Sequence, residues 1–208
     1  MVIKAVIFDV DGVLVDSFDA NLKFIQDLLK KAGRKPITRI QYKKDGFHRT
    51  LHDVIRIYGS CKNEREVKDV LKLVNKVKHH PELFVFPPRL DETIRKLSET
   101  YKLAIVTGRI KVGVEDIFNH SKIRGYFPVV VFYGQYKNPK PDPESLLLAA
   151  KRLKIKPQES VYVGDSITDI QAAKTAGMKI ILFSKRKIGK ADAKTARFSE
   201  LPYLIKNL

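Results

Sequence analysis

Cysteine is almost missing: Cys61 stands alone among 208 residues. That excludes an internal disulfide and a cysteine-based zinc site, and it fits a reducing compartment. Long apolar runs are missing as well, since none approaches the ~18 residues that span a bilayer. No membrane partner is therefore expected. The first strand-like run begins at residue 2, which leaves no room for a signal peptide, so a soluble cytoplasmic protein is the expectation. There is no internal repeat and no low-complexity tract. Acidic residues are in short supply, 23 against 40 Lys and Arg, which gives a formal charge of +17.

What is present is ordinary for a folded chain. With 44% hydrophobic and 30% charged residues, disorder is excluded. The length suits one α/β domain or a core with a smaller insert. The positive excess is densest in residues 17–84, with 16 basic and 8 acidic side chains, and in residues 179–208, with 8 and 2. Such a surplus fits nucleic acid, an anionic substrate or a solvated Lys-rich surface.

Apolar, β-branched runs at 2–8, 103–106, 129–132, 161–163 and 180–183 read as strands covered on both faces. Helical patterns lie between them at 90–99, 112–118, 144–153 and 167–176. This alternation predicts a parallel sheet with helices on both faces, whose carboxyl edge collects the polar groups that follow each strand. Residues 17–84 break the pattern, with helices predicted at 21–31, 37–44, 51–57 and 65–78 and no strand between them. An all-helical insert after the first strand is expected, with Pro87-Pro88 marking the return. The Lys- and Ala-rich stretch 185–197 is expected to be a mobile surface loop.

Four groups follow predicted strands. Asp9-Val10-Asp11-Gly12 places two carboxylates on one side of an extended backbone, although Asp and Gly also serve simply to end strands. Thr107-Gly108 offers a hydroxyl and an N–H that can each hold a phosphate oxygen, or Thr107 caps a helix. Lys140 stands among Pro139, Pro141 and Pro143, which stiffen its loop and hold the ammonium where it can neutralise an anion. The alternative is a solvated lysine in a rigid turn. Asp165 and Asp169, four residues apart, can share a hard cation such as Mg²⁺, whereas helix capping accounts for one of the two acids.

The groups are more informative together than singly. If the strands are neighbours, Asp9, Asp11, Asp165 and Asp169 meet at one edge with Lys140. Uncompensated, those carboxylates repel and raise one another's pKa values; a divalent cation removes the objection. An aspartate beside Mg²⁺ and anion-binding donors is equipped for phosphoryl transfer through an aspartyl-phosphate.

These motifs, in this order, resemble the haloacid dehalogenase-like (HAD) hydrolases, in the phosphoglycolate phosphatase and β-phosphoglucomutase branch. The resemblance covers residues 3–183. It rests on Asp9-Val-Asp-Gly-Val-Leu-Val-Asp-Ser, Thr107-Gly, Lys140-Pro-Asp-Pro and Gly164-Asp-Ser-Ile-Thr-Asp, with Ala172-Ala173 and Ala176-Gly177-Met178 beyond. It implies an α/β fold, a Rossmann-like core of residues 1–16 and 85–208, and a helical cap of residues 17–84 that closes over it. It implies that Asp9 is the nucleophile and a Mg²⁺ ligand. Asp11 is then the general acid and base, with its carbonyl on the metal. Thr107, Gly108 and Lys140 hold the phosphoryl group, Asp165 ligates Mg²⁺ directly, and Asp169 belongs to the metal site but stands behind the direct ligands. Aspartate rather than tyrosine at position 11 favours phosphoryl transfer over dehalogenation. Relatives often carry Asn after the threonine; here Gly108-Arg109 follows, and Arg109 is expected to pair with an acid at the surface rather than to stand by the phosphate.

The expected function is a Mg²⁺-dependent phosphatase of a small phosphorylated metabolite, of the phosphoglycolate or sugar phosphate type. The alternative is a β-phosphoglucomutase-type isomerase with the same core residues. Nucleic acid is not the expected partner, because the acidic constellation is intact. The sequence does not decide between monomer and dimer. In the cap, His48 and Arg49 are substrate-contact candidates, with Lys43 and Lys44 at the rim and Ser17 and Phe18 lining the entrance. His48, Arg49, Lys43 and Lys44 each read equally as a solvated turn residue. His79 and His80 are expected to be solvent-exposed.

Overall fold

The computed structural model describes every residue except Met1, Asp45 and Lys187, together with the His48 side chain. The chain begins with strand β1 (Ala5–Phe8), all four residues of which are buried. Four helices follow with no strand between them: α1 (Phe18–Lys31), α2 (Arg39–Lys44), α3 (Leu51–Tyr58) and α4 (Glu64–Leu71). The rest alternates: α5 (Leu90–Ser98), β2 (Lys102–Val106), α6 (Lys111–Asn119), β3 (Val129–Val131), α7 (Glu144–Leu153), β4 (Ser160–Gly164), α8 (Ile167–Thr175), β5 (Lys179–Phe183), β6 (Ala193–Thr195) and α9 (Leu201–Lys206). Two compact units result, one of Met1–Asp16 with Val85–Leu208, the other Ser17–Phe84.

The larger unit is a six-stranded sheet in the order β3-β2-β1-β4-β5-β6, parallel throughout. Alternation along β1 explains its continuous apolarity. Ala5 and Ile7 pack with Leu146 and Ala149 of α7 and Ala173 of α8, while Phe8 points the other way onto the rings of Phe127 and Phe198. Both faces are covered, so no position of the strand tolerates a polar side chain. The strand order reverses between β1 and β4, and in such sheets the crevice beyond the carboxyl ends at that point is where ligands bind. Asp16 and Val85 exchange N–H···O=C bonds of 2.8 and 3.0 Å, pairing the segments where the chain leaves the sheet and returns to it.

The helical unit buries Leu22, Ile25, Leu29, Ile37, Tyr42 and Val54 in one cluster and Leu28, Ile55, Val67 and Val70 in another. Thr50 and Asn63 cap α3 and α4 by accepting the N–H groups of Asp53 and Glu66. The helix expected over 65–78 ends at Leu71 and gives way to a 3₁₀ turn, Val74–Lys76. Val74 and Val77 still face the same cluster, which is why the helical period runs past the helix.

Two other expectations are corrected. The stretch 185–197 is not simply a surface loop: β6 within it pairs with β5, and Asp192 accepts the N–H of Ile180 at 2.9 Å and the ammonium of Lys179 at 3.0 Å. His79 and His80 are not solvated. The His80 ring, 10% exposed, stands 3.0 Å from both Asp27 and Glu82, and His79 meets the edge of Phe24. Phe18 joins Tyr42 and Phe47 in an aromatic cluster of the helical core, with Arg39 over its ring. No helix among the described residues is long and apolar enough to cross a membrane.

The C-terminal segment is part of the core. Phe198, 2% exposed, lies against Phe8 and Phe183. Phe198→Ala is expected to lower stability by about 3–5 kcal/mol, read from denaturant unfolding.

Candidate active site

Asp9, Thr107 and Asp165 each follow a strand, and the strands β2, β1 and β4 are neighbours. The sheet register alone therefore gathers them. Asp9 continues the ladder, its N–H donating to the Val163 carbonyl at 2.9 Å, so its place opposite β4 is fixed by backbone bonds. The chain then turns at Gly12, whose φ of +76° is unfavourable for any residue with a Cβ. A Cβ there would also lie 2.1 Å from the Asp165 carboxylate.

Lys140 reaches into this edge, 14% exposed. Its Nζ lies 2.6 Å from Asp169 Oδ1, 3.0 Å from Asp9 Oδ2 and 2.9 Å from the Tyr162 hydroxyl. The prolines are only part of what holds its loop. The Glu144 carboxylate accepts the N–H groups of Lys137 and Asn138, and the Asp142 carboxylate accepts that of Glu144.

Asp169 is fully buried, and its two oxygens have different surroundings. Oδ2 caps α8, accepting from the Asp165 N–H, the Ser166 N–H and the Ser166 hydroxyl at 3.1, 3.0 and 2.6 Å. Oδ1 faces Lys140 and Tyr162. Burial acts to raise its pKa, but the Lys140 charge and the hydrogen bonds outweigh it and hold the carboxyl below its ordinary value. Burial likewise works against the Lys140 ammonium, and the charges of Asp169 and Asp9 more than offset it, so its pKa is well above the ordinary value.

Asp9 and Asp165 go the other way. Burial, countered in part by Lys140 and reinforced by Asp169 and Asp11, pushes Asp9 up to about 7. Burial together with the charges of Asp9 and Asp169 pushes Asp165 up to about 8. Ligand atoms of Asp9, Asp165 and Asp169 all lie within 4.8 Å of one another. Three crowded carboxylates against one ammonium are short of positive charge, and all their donor atoms are oxygens. The residues fit a hard divalent cation.

Asp11 is arranged differently. Its carboxylate takes a fork from Arg109, Nη2 to Oδ1 at 2.6 Å and Nε to Oδ2 at 2.9 Å. The expected surface pairing of Arg109 is thus corrected: the partner is an acid, but it is a member of the first motif, and the Arg109 side chain is only 13% exposed. Thr107 does not cap α6. It is buried, its hydroxyl accepts the Arg109 N–H at 3.1 Å, and its carbonyl accepts the Tyr136 hydroxyl. Gly108 is exposed. Arg49, Lys43 and Lys44 are exposed residues of the helical unit, and the His48 side chain lies outside the described residues.

Sequence reasoning missed Tyr162 and Glu144. A signal for Tyr162 existed: a hydroxyl between the two valines of the run 161–163, three residues before Asp165. A buried tyrosine hydroxyl finds a polar partner, and here the partner is Lys140.

Residues 6–183 match the haloacid dehalogenase-like hydrolase family. A phosphorylated carbohydrates phosphatase of Thermotoga maritima is 33% identical over 187 residues, 86% of this chain and 83% of that protein. A phosphoglycolate phosphatase of Pseudomonas fluorescens is 30% identical over 190 residues, 87% of this chain and 69% of that protein. The crystal structure of a HAD-superfamily hydrolase of subfamily IA from Geobacter sulfurreducens superposes with a TM-score of 0.76 at 25% identity, covering 98% of this chain and 96% of that one.

The raised pKa of Asp165 has a signed consequence for the metal-free protein. Below the ordinary value of 3.8 the group is protonated in both folded and unfolded chains and costs nothing. As pH rises towards about 8 the unfolded chain ionises first, so stability is progressively lost. In EDTA-treated protein, Asp165→Asn is expected to unfold at a higher temperature than wild type. The advantage grows from about pH 4 to about pH 8 and then levels off; a difference independent of pH contradicts the assignment.

Proposed function

We propose that this chain, which belongs to the haloacid dehalogenase-like hydrolases, is a phosphoric monoester hydrolase that works through an aspartyl-phosphate. The observation that supports this most directly is the seat of Asp9: a buried carboxylate held by Lys140, with Asp165 and Asp169 within 4.8 Å and Asp11 two residues on. An isolated turn or a helix cap requires none of this.

In this reading the Asp9 carboxylate attacks the phosphorus of the monoester and displaces the leaving oxygen, to which Asp11 gives a proton. Lys140, the Thr107 hydroxyl and the Gly108 N–H hold the non-bridging oxygens of the transferring group. Asp11 then takes a proton from a water that attacks the same phosphorus, releasing inorganic phosphate and restoring Asp9. Asp9 and Asp165, with the Asp11 carbonyl, are the groups that would hold Mg²⁺, and Asp169 stands behind them with its oxygens already engaged. Bound there, the cation offsets the charge of the carboxylates and of the phosphoryl group.

The substrate class proposed is a small phosphorylated metabolite of the sugar phosphate or phosphoglycolate type, which is supported by the substrates for which the two phosphatase relatives are named. A cytoplasmic setting belongs to the same proposal, supported by the single cysteine. The test is a panel of phosphorylated metabolites, including phosphoglycolate and glucose 1-phosphate, with Mg²⁺ and then with EDTA. Inorganic phosphate release that needs Mg²⁺ and falls by about 10³-fold or more in Asp9→Asn is expected. Conversion of glucose 1-phosphate to glucose 6-phosphate without phosphate release would instead make the chain a mutase. Turnover that survives Asp9→Asn overturns the mechanism.

A further inference from the structure

The geometry points to Arg109 as the positioning residue for Asp11, a role that rests on the phosphatase reading above. The Arg109 backbone is held at both ends: the N–H donates to Thr107 Oγ1 at 3.1 Å, and the carbonyl accepts the Tyr133 N–H at 2.8 Å. The side chain leaves this fixed backbone and closes a fork on both oxygens of Asp11. A planar guanidinium gripping a carboxylate in this way fixes the carboxylate's orientation as well as its distance. A lysine in its place supplies charge but no plane.

The neighbouring helix makes room for the fork. Gly113 lies inside α6, where glycine is unfavourable relative to alanine. A Cβ there would stand 3.4 Å from Arg109 Nη1 and 3.7 Å from its Cβ and Cδ, so alanine is admitted in contact and anything larger meets the arginine. Arg109 also joins two groups of the site, since the residue whose N–H engages the Thr107 hydroxyl is the one whose side chain engages Asp11. A carboxylate that accepts from both arms of the fork is the form that takes the proton from the attacking water; it works only within hydrogen-bond reach of that proton, and a misplacement of about 1 Å costs on the order of 100-fold in rate.

Steady-state kinetics of the full chain with Mg²⁺ and a substrate found in the panel supply the test. Arg109→Met is expected to lower kcat by about 10- to 100-fold with KM nearly unchanged, and Arg109→Lys to recover part of the loss. Gly113→Leu, which keeps the arginine but crowds it, is expected to lower kcat in the same manner. Thermal unfolding of each variant reports whether the fold persists. A raised KM at unchanged kcat in Arg109→Met overturns the inference in favour of direct substrate binding, and wild-type kinetics overturn it outright. With Asp9→Asn inactive, either result sinks the role of Arg109 alone; activity in Asp9→Asn sinks the phosphatase mechanism beneath it.

Discussion

One buried ammonium holds the site in balance. Lys140 is the cation that Asp9 and Asp169 share, and it orients the Tyr162 hydroxyl as well. The two carboxylates nevertheless diverge. Asp169 collects hydrogen bonds from Ser166, from the Asp165 N–H and from Lys140, so its charge is dispersed and stable. Asp9 has the Val10 N–H and Lys140 and little else to offset burial. The structure therefore spends its strongest neutralisation on a carboxylate at the back of the site. It leaves the front one under-compensated, ready to be stabilised by whatever positive or electrophilic group arrives.

That local shortage of positive charge contrasts with the chain as a whole. A formal charge of +17 surrounds a centre in which acids outnumber bases. The surplus sits in the helical unit and the C-terminal residues, where salt-bridge partners such as Glu66 for Arg34 and Asp192 for Lys179 absorb only part of it. Its physical effect is long-ranged attraction of anions rather than chemistry.

Much of this was legible before the structure. Apolar runs placed five strands, and a stretch without them placed the helices of 17–84, because burial on two faces and on one leave different periods. What stayed hidden depends on long-range partners. Ala193–Thr195 has too little apolar character to announce a strand and becomes one by pairing with β5. His80 is drawn from solvent by Asp27, which precedes it by fifty-three positions. Arg109 could be named as a departure from the family pattern, but its partner could not: only folding brings the loop before α6 and the turn after β1 together. Asp9, Thr107 and Asp165 were visible for the opposite reason, since each directly follows its own strand.

The first strand of the chain is also the middle of the sheet, flanked by β2 on one side and β4 on the other. For a chain emerging from the ribosome this ordering has a kinetic cost. β1 is made first, with two unpaired edges and an entirely apolar sequence, and must wait through the helical unit for one neighbour and for most of the remaining synthesis for the other. Contacts of such long sequence separation form slowly and leave strand edges open to other chains. The helical unit, rich in local contacts and complete before either neighbour exists, gives the nascent chain something to fold in the interval. Asp9 acquires Asp165 only when β4 has docked, so assembly of the site reports that the central strands have paired.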